Sequence, residues 1–82
     1  MDTLLTIEGK VVKMAKVDGG MMIDVIDLTG FVAIGIVTGI TADVCRVNVK
    51  IGSTVTMTGK YRSVNATCMD VTEISINRLT RR

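Results

Sequence analysis

The chain predicts a small all-β barrel, and three observations carry that expectation. Turn signals recur at short intervals: Asp18-Gly19-Gly20, Thr29-Gly30, Thr38-Gly39, Gly52-Ser53 and Ser63-Val64-Asn65-Ala66. The runs between them are rich in Val, Ile, Thr and Met, residue types that suit a pleated, half-buried surface. Two of the runs change parity partway, which a strand does at a bulge or sharp bend, and bends of this kind let one strand pair with different neighbours at its two ends.

The first strand is expected over residues 4–17. Leu5, Ile7, Gly9 and Val11 share one parity, then Val12 and Met14 take the other, and Gly9 supplies backbone freedom near the switch. Asp18-Gly19-Gly20 makes a hairpin into the second strand, residues 21–28. The third strand is residues 31–37. Residues 41–49 fit either a short helix over 42–47, capped by Thr41, or an irregular crossover, because Val44, Val47 and Val49 suit a strand about as well. The fourth strand, "STVTMTGKYR", alternates cleanly: Val55, Met57, Gly59 and Tyr61 face one way and Thr54, Thr56, Thr58, Lys60 and Arg62 the other. The fifth, residues 66–76, changes parity between Val71 and Ile74, again the mark of a bulge.

Composition narrows the function classes. At 82 residues, 48% hydrophobic and 22% charged, the chain is one small globular domain, residues 1–82, with a basic tail over 76–82 that includes Arg78, Arg81 and Arg82. No apolar run approaches the roughly 20 residues that span a bilayer, and "MDTLLTIEGK" lacks a positive n-region, so a cytoplasmic or nuclear, non-secreted protein without membrane contact is expected. The two cysteines, Cys45 and Cys68, are far apart and no histidine is present, which leaves zinc sites and Cys–His nucleophiles unsupported. Asp24 and Asp27 are three apart on an expected strand and so point to opposite faces. There is no phosphate-cradling loop either, and the expectation is a protein that is not an enzyme and has no metal or cofactor. The net charge of +2 and the presence of only Phe31 and Tyr61 as aromatics speak against tight, non-specific binding to nucleic acid by phosphate contacts and base stacking.

Five strands, a long kinked first strand and an insertion between the third and fourth describe the oligonucleotide/oligosaccharide-binding barrel, the OB-fold; an SH3-like or Sm-like barrel is the competing architecture. Particular residues carry a family resemblance: Gly9 with Val11, the "D-x-T-G" of Asp27 to Gly30, the "G-x-x-V-x-x-x-G-x-x-R" run from Gly52 to Arg62, and the "M-x-V-x-E-I" of Met69 to Ile74. Together they resemble the single-stranded-DNA-binding OB class of replication protein A, and "VTMTGKYRSVN" is similar to the fourth strand and following loop of its middle subunit. The spacing of Met22, Gly30, Gly39 and Gly52 also looks like bacterial translation initiation factor one, although the basic RNA-contacting stretch of that family has no counterpart in "TGITADVCRV".

The resemblance implies a ligand surface on the outer side of the second and third strands, between the loop joining strands one and two and the loop joining four and five. Lys13, Lys16, Lys60 and Arg62 are then expected to hold phosphates, with Phe31 either stacking a base or packing in the core or at the rim, and Tyr61 a further nucleic-acid contact whose ring turns inward and whose hydroxyl sits at the barrel mouth. The alternative for the lysines is simple solvation of an apolar barrel. Both parities of the stretch "MMIDVIDLTGFVAIG" are apolar, however, so an aliphatic patch of Met22, Ile26, Leu28, Val32, Ile34 and Ile36 is expected outside whatever the register. Aliphatic side chains stack poorly on bases and bury well against another apolar surface. The expectation is therefore a binding module for single-stranded nucleic acid, DNA before RNA, within a protein assembly or homo-oligomer built on that patch. The competing readings are an OB scaffold subunit with no nucleic-acid contact of its own, and an RNA-binding OB domain.

Overall fold

The computed structural model describes residues 4–61 and 68–77. The elements run β1 (Leu5–Val17), β2 (Gly20–Ile26), β3 (Val32–Thr38), α1 (Gly39–Asn48), β4 (Thr54–Tyr61) and β5 (Cys68–Ile76). The strands close into a ring in the order β1-β2-β3-β5-β4, with β3 and β5 parallel and the other pairs antiparallel. This is the all-β barrel expected, with a short helix between the third and fourth strands.

Closure depends on the two bulges. In β1, residues 5–10 pair with β4 and residues 10–17 pair with β2, and the register slips between Val11 and Lys13 so that Val12 is the extra residue. Gly9 lies at this changeover. A Cβ there would stand 2.1 Å from the Ile26 carbonyl oxygen, so the closest approach of β1 to the end of β2 requires the missing side chain. The second slip places Thr72 of β5 as the extra residue between Thr58–Glu73 and Gly59–Val71.

Inside the ring, Val11, Ile23, Val25, Ala33, Val37, Val55, Met57 and Met69 are all fully buried. Each large aliphatic of this set stabilises the fold by about 1.5–3 kcal/mol relative to exposure. α1 contributes Ala42 and Cys45, and Val49 follows them into the same cluster. Burial pushes the Cys45 thiol pKa up, which keeps it a protonated, unreactive core side chain.

Several expected boundaries move, each for a local reason. The second strand stops at Ile26 rather than 28, because the Asp27 side chain captures the amides that follow it and turns the chain. Phe31 precedes β3 instead of opening it. The helix begins at Gly39 with Thr38 as its N-cap, three residues before the expected cap Thr41, and the Thr38 side chain makes no capping hydrogen bond. Ile76, the expected end of the fifth strand and first residue of the expected tail, pairs with Val55, and the Asn77 backbone amide donates to the Thr54 carbonyl oxygen at 2.7 Å, so the barrel takes in both. Arg62, Ala66, Thr67 and residues 78–82 lie outside the described residues.

Candidate binding face

The outer wall of β2 and β3 follows from parity. Met21, Ile23 and Val25 are buried, as are Ala33, Gly35 and Val37, so Met22, Asp24 and Ile26 and the alternate β3 residues Val32, Ile34 and Ile36 point outward. Pairing arranges them in rows across the sheet. Lys10, Ile26 and Val32 form one; Lys13, Asp24, Ile34 and Cys68 the next; Ala15, Met22, Ile36, Asp70 and Lys60 the third. With neighbouring strands about 4.8 Å apart, the third row spans roughly 19 Å. Five of the six residues expected in the apolar patch therefore share one surface. Leu28 does not: it sits in the β2–β3 turn, fully exposed.

The cations are arranged less simply than the phosphate-rim expectation required. Lys13 and Lys60 stand at opposite margins of the face, but each is followed in its row by a carboxylate, Asp24 beside Lys13 and Asp70 beside Lys60. Facing opposite charges across a strand pair attract and lower the field available to a ligand anion. Lys16 pairs with the buried Met21 and so has the parity opposite to Lys13, although its own side chain is exposed. Tyr61 pairs with the fully buried Met69 and is a half-buried side chain packed against the core, on the inward parity of β4. Arg62 is outside the described residues.

Asp24 is the unusual group on the face. Its Oδ1 is shut off from solvent and has no hydrogen-bond partner. No ion pair joins it to Lys13 among the described residues, where Asp43 and Arg46 supply the ion pair on α1. Asp27, by contrast, is fully engaged. Its Oδ1 accepts from the Thr29 amide at 2.9 Å, the Thr29 hydroxyl at 2.6 Å and the Phe31 amide at 3.0 Å, while the Asp27 amide donates to the Phe31 carbonyl oxygen. The Thr29 hydroxyl above all holds the Asp27 carboxyl below its ordinary value; desolvation works in the opposite direction, and the Phe31, Thr29 and Gly30 amides add to the lowering. Gly30 takes φ +92°, a conformation side chains resist. The "D-x-T-G" motif is thus turn chemistry that brings Phe31 half-exposed to the end of the face.

Sequence reasoning missed a second apolar surface. Ile40, Val44 and Val47 are 81%, 51% and 73% exposed, and Ile51, just past α1, is 68% exposed. Their spacing places the three helical residues on one side of α1, away from Ala42 and Cys45. The four-then-three spacing is present in the sequence, but residues 41–49 fit a short helix or an irregular crossover equally, and only the helix puts these side chains on one side. A cleft of about 530 Å³ runs between Ile40 and Val44 on one side and Thr56, Thr58, Thr72 and Glu73 on the other. A smaller one of about 450 Å³ lies at the β1–β2 seam beside Gly9, Lys10, Ile26 and Leu28.

Among the described residues, no three His, Cys, Asp or Glu side chains are placed to hold a metal ion, and no helix is long and apolar enough to cross a membrane. No family model and no curated protein matches the chain.

Proposed function

We propose that the chain is a non-catalytic binding module of the OB type that docks a protein surface on the outer face of β2 and β3, as a subunit of an assembly. The ring order β1-β2-β3-β5-β4, with the helix in the β3–β4 connection, supports the OB reading. The observation that carries the function is the outward aliphatic ladder: Ile26 opposite Val32, Met22 opposite Ile36, and Ile34 between them. Covering these side chains removes apolar area from water at about 25 cal/mol per Å², the usual source of association free energy. Methionine at position 22 lets the face adapt to its partner.

A second reading, single-stranded nucleic acid across the same face, is favoured by Lys10 and Lys13 on the outer side of β1 with Lys16 beyond them. Asp24 and Asp70 oppose it, since each stands next to a lysine that a phosphate would need. Fluorescence anisotropy with labelled DNA and RNA oligonucleotides separates the readings. Protein docking predicts no salt-sensitive binding at about 50 mM salt; tight binding that weakens steeply as salt rises assigns the face to nucleic acid, and a preference for RNA selects the RNA-binding alternative.

A further inference from the structure

The β1–β2 hairpin has one edge with no neighbour among the described residues. β1 changes partner along its length: residues 5–10 pair with β4, whereas residues 13–17 pair only with β2. The chain that would continue beside them is turned away. Val11 donates to the Ser53 carbonyl oxygen and accepts from the Gly52 amide, both at 2.8 Å. Gly52 takes φ +98° and the Ser53 amide donates to the Lys50 carbonyl oxygen, a tight turn that leads the preceding chain off β1. Alternation then fixes which groups are left over, because the N–H and C=O of successive residues in an antiparallel ladder point to opposite sides of the strand. Val11, opposite Val25, points them toward β4, and Val12 is the bulged extra residue. Lys13 opposite Asp24 and Ala15 opposite Met22 therefore point theirs to β2, while Met14 opposite Ile23 and Lys16 opposite Met21 point theirs away. Met14 is half-buried and packs on the core; Lys16 is exposed. Lys16 enters no ion pair among the described residues.

We propose that this edge, independently of the outer β2–β3 face, takes an extended segment of a partner protein as a further antiparallel strand, with a carboxylate opposite Lys16 and an aliphatic residue opposite Met14. The four backbone groups of Met14 and Lys16 supply the pairing, and their two side chains, on one face of the hairpin, supply the choice. The order in the partner is acid, any residue, aliphatic, because the two strands run in opposite senses. Lys13 lies on the other face and already stands opposite Asp24, which leaves Lys16 as the cation that selects. Lys16 also disfavours a second copy of this chain as occupant. The two-fold register that uses all four groups sets Met14 against Lys16 of the second copy, so the two Lys16 side chains share a face one diagonal apart, where like charges repel. The lysine thus blocks self-pairing and admits a strand of opposite charge.

The test titrates the nitrogen-15-labelled full chain with a blocked octapeptide, Thr-Thr-Glu-Thr-Val-Thr-Thr-Thr, to millimolar concentration at about 50 mM salt, reading amide shifts and hydrogen exchange by NMR. The Met14 and Lys16 amides should gain protection from exchange, while those of Lys13 and Ala15 gain none. N-methylation of the peptide's Glu and Val amides should abolish binding, and N-methylation of the Thr between them should be tolerated. Replacing the peptide's Glu with Lys should weaken binding about twofold to fivefold. Lys16→Glu should reverse that preference, which a merely solvating lysine would not do; Lys16→Gln, which should erase it, serves if the first variant fails to fold. No protection at Met14 and Lys16, N-methylation effects that ignore the alternation, or a preference for Glu untouched by the change at position 16 overturns the proposal. Protection of the same two amides that rises with the concentration of the free chain assigns the edge to self-pairing and likewise overturns it.

Discussion

The two halves of the outer wall are built from the same kind of residue and end up chemically opposite. On β2 and β3 the outward β-branched positions are Ile26, Val32, Ile34 and Ile36; on β4 they are Thr54, Thr56 and Thr58. Valine and threonine have almost the same shape, and both suit a pleated strand because of branching at Cβ. Only the hydroxyl differs. The threonine wall completes its own hydrogen bonds: the Thr6 and Thr58 hydroxyls lie 3.1 Å apart, the Thr56 hydroxyl donates to Asn77 Oδ1 at 3.1 Å, the Asn77 amide donates to Glu8, and the Thr72 hydroxyl donates to the Thr58 carbonyl oxygen. Among the described residues the aliphatic wall has no equivalent closure, and the Oδ1 of its Asp24 is buried without a donor. Branching decides that a segment becomes a strand; the hydroxyl decides whether its outer side is hydrogen-bonded or aliphatic.

The seam joining the two walls is where the largest effect is expected. Gly9→Val forces a side chain into the Ile26 carbonyl oxygen, 2.1 Å from an ideal Cβ, and should cost about 3 kcal/mol or more, read as loss of the cooperative thermal transition. A retained melting temperature would mean that β1 and β2 do not close as described. Next comes Met57→Ala, inside the ring behind the threonine wall, with an expected loss of about 2–5 kcal/mol in urea unfolding.

Much of this organisation was legible in the residues. Alternation in the fourth strand, the parity switches and the glycine punctuation all act over a few neighbouring residues, and the structure puts bulges at Val12 and Thr72 within the segments that change parity. The apolar outer positions of β2 and β3 were legible for the same reason, since both parities were hydrophobic. What escaped was set by contacts distant in sequence or by side chain–backbone competition. The pairing of Lys13 with Asp24 and of Lys60 with Asp70 exists only through register, and the capture of the Thr29 and Phe31 amides by Asp27 ended β2 early. The helix was ambiguous because Val44 and Val47 carry strand preference, while burial of Ala42 and Cys45 against the barrel overrides it.

Smaller changes sharpen the contrast between the walls. Ile36→Lys should abolish partner binding while shifting stability by no more than about 1 kcal/mol, as its side chain is only half-buried; Thr58→Lys, its counterpart on the hydroxyl wall, should leave partner binding intact. Equal effects of the two on binding would erase the distinction. The mildest expected effect concerns pH. Because the folded-state pKa of Asp27 is depressed, its contribution to stability is fully present above its ordinary value of 3.8 and is lost as pH falls through the lower folded value. Melting curves taken downward from pH 4 should therefore converge for the wild type and Asp27→Ala. A gap that stays constant with pH would show that the Asp27 charge does not hold the turn.

Methyl-resolved NMR tests the central claim most directly, with the labelled chain titrated in parallel with a library-selected peptide and with an oligothymidylate. The account predicts peptide-induced shifts confined to Met22, Ile26, Val32, Ile34 and Ile36, with the β4 threonine methyls silent and no response to the oligonucleotide. Shifts centred on Thr54, Thr56 and Thr58, or movement of the β2–β3 methyls by the oligothymidylate alone, would contradict it.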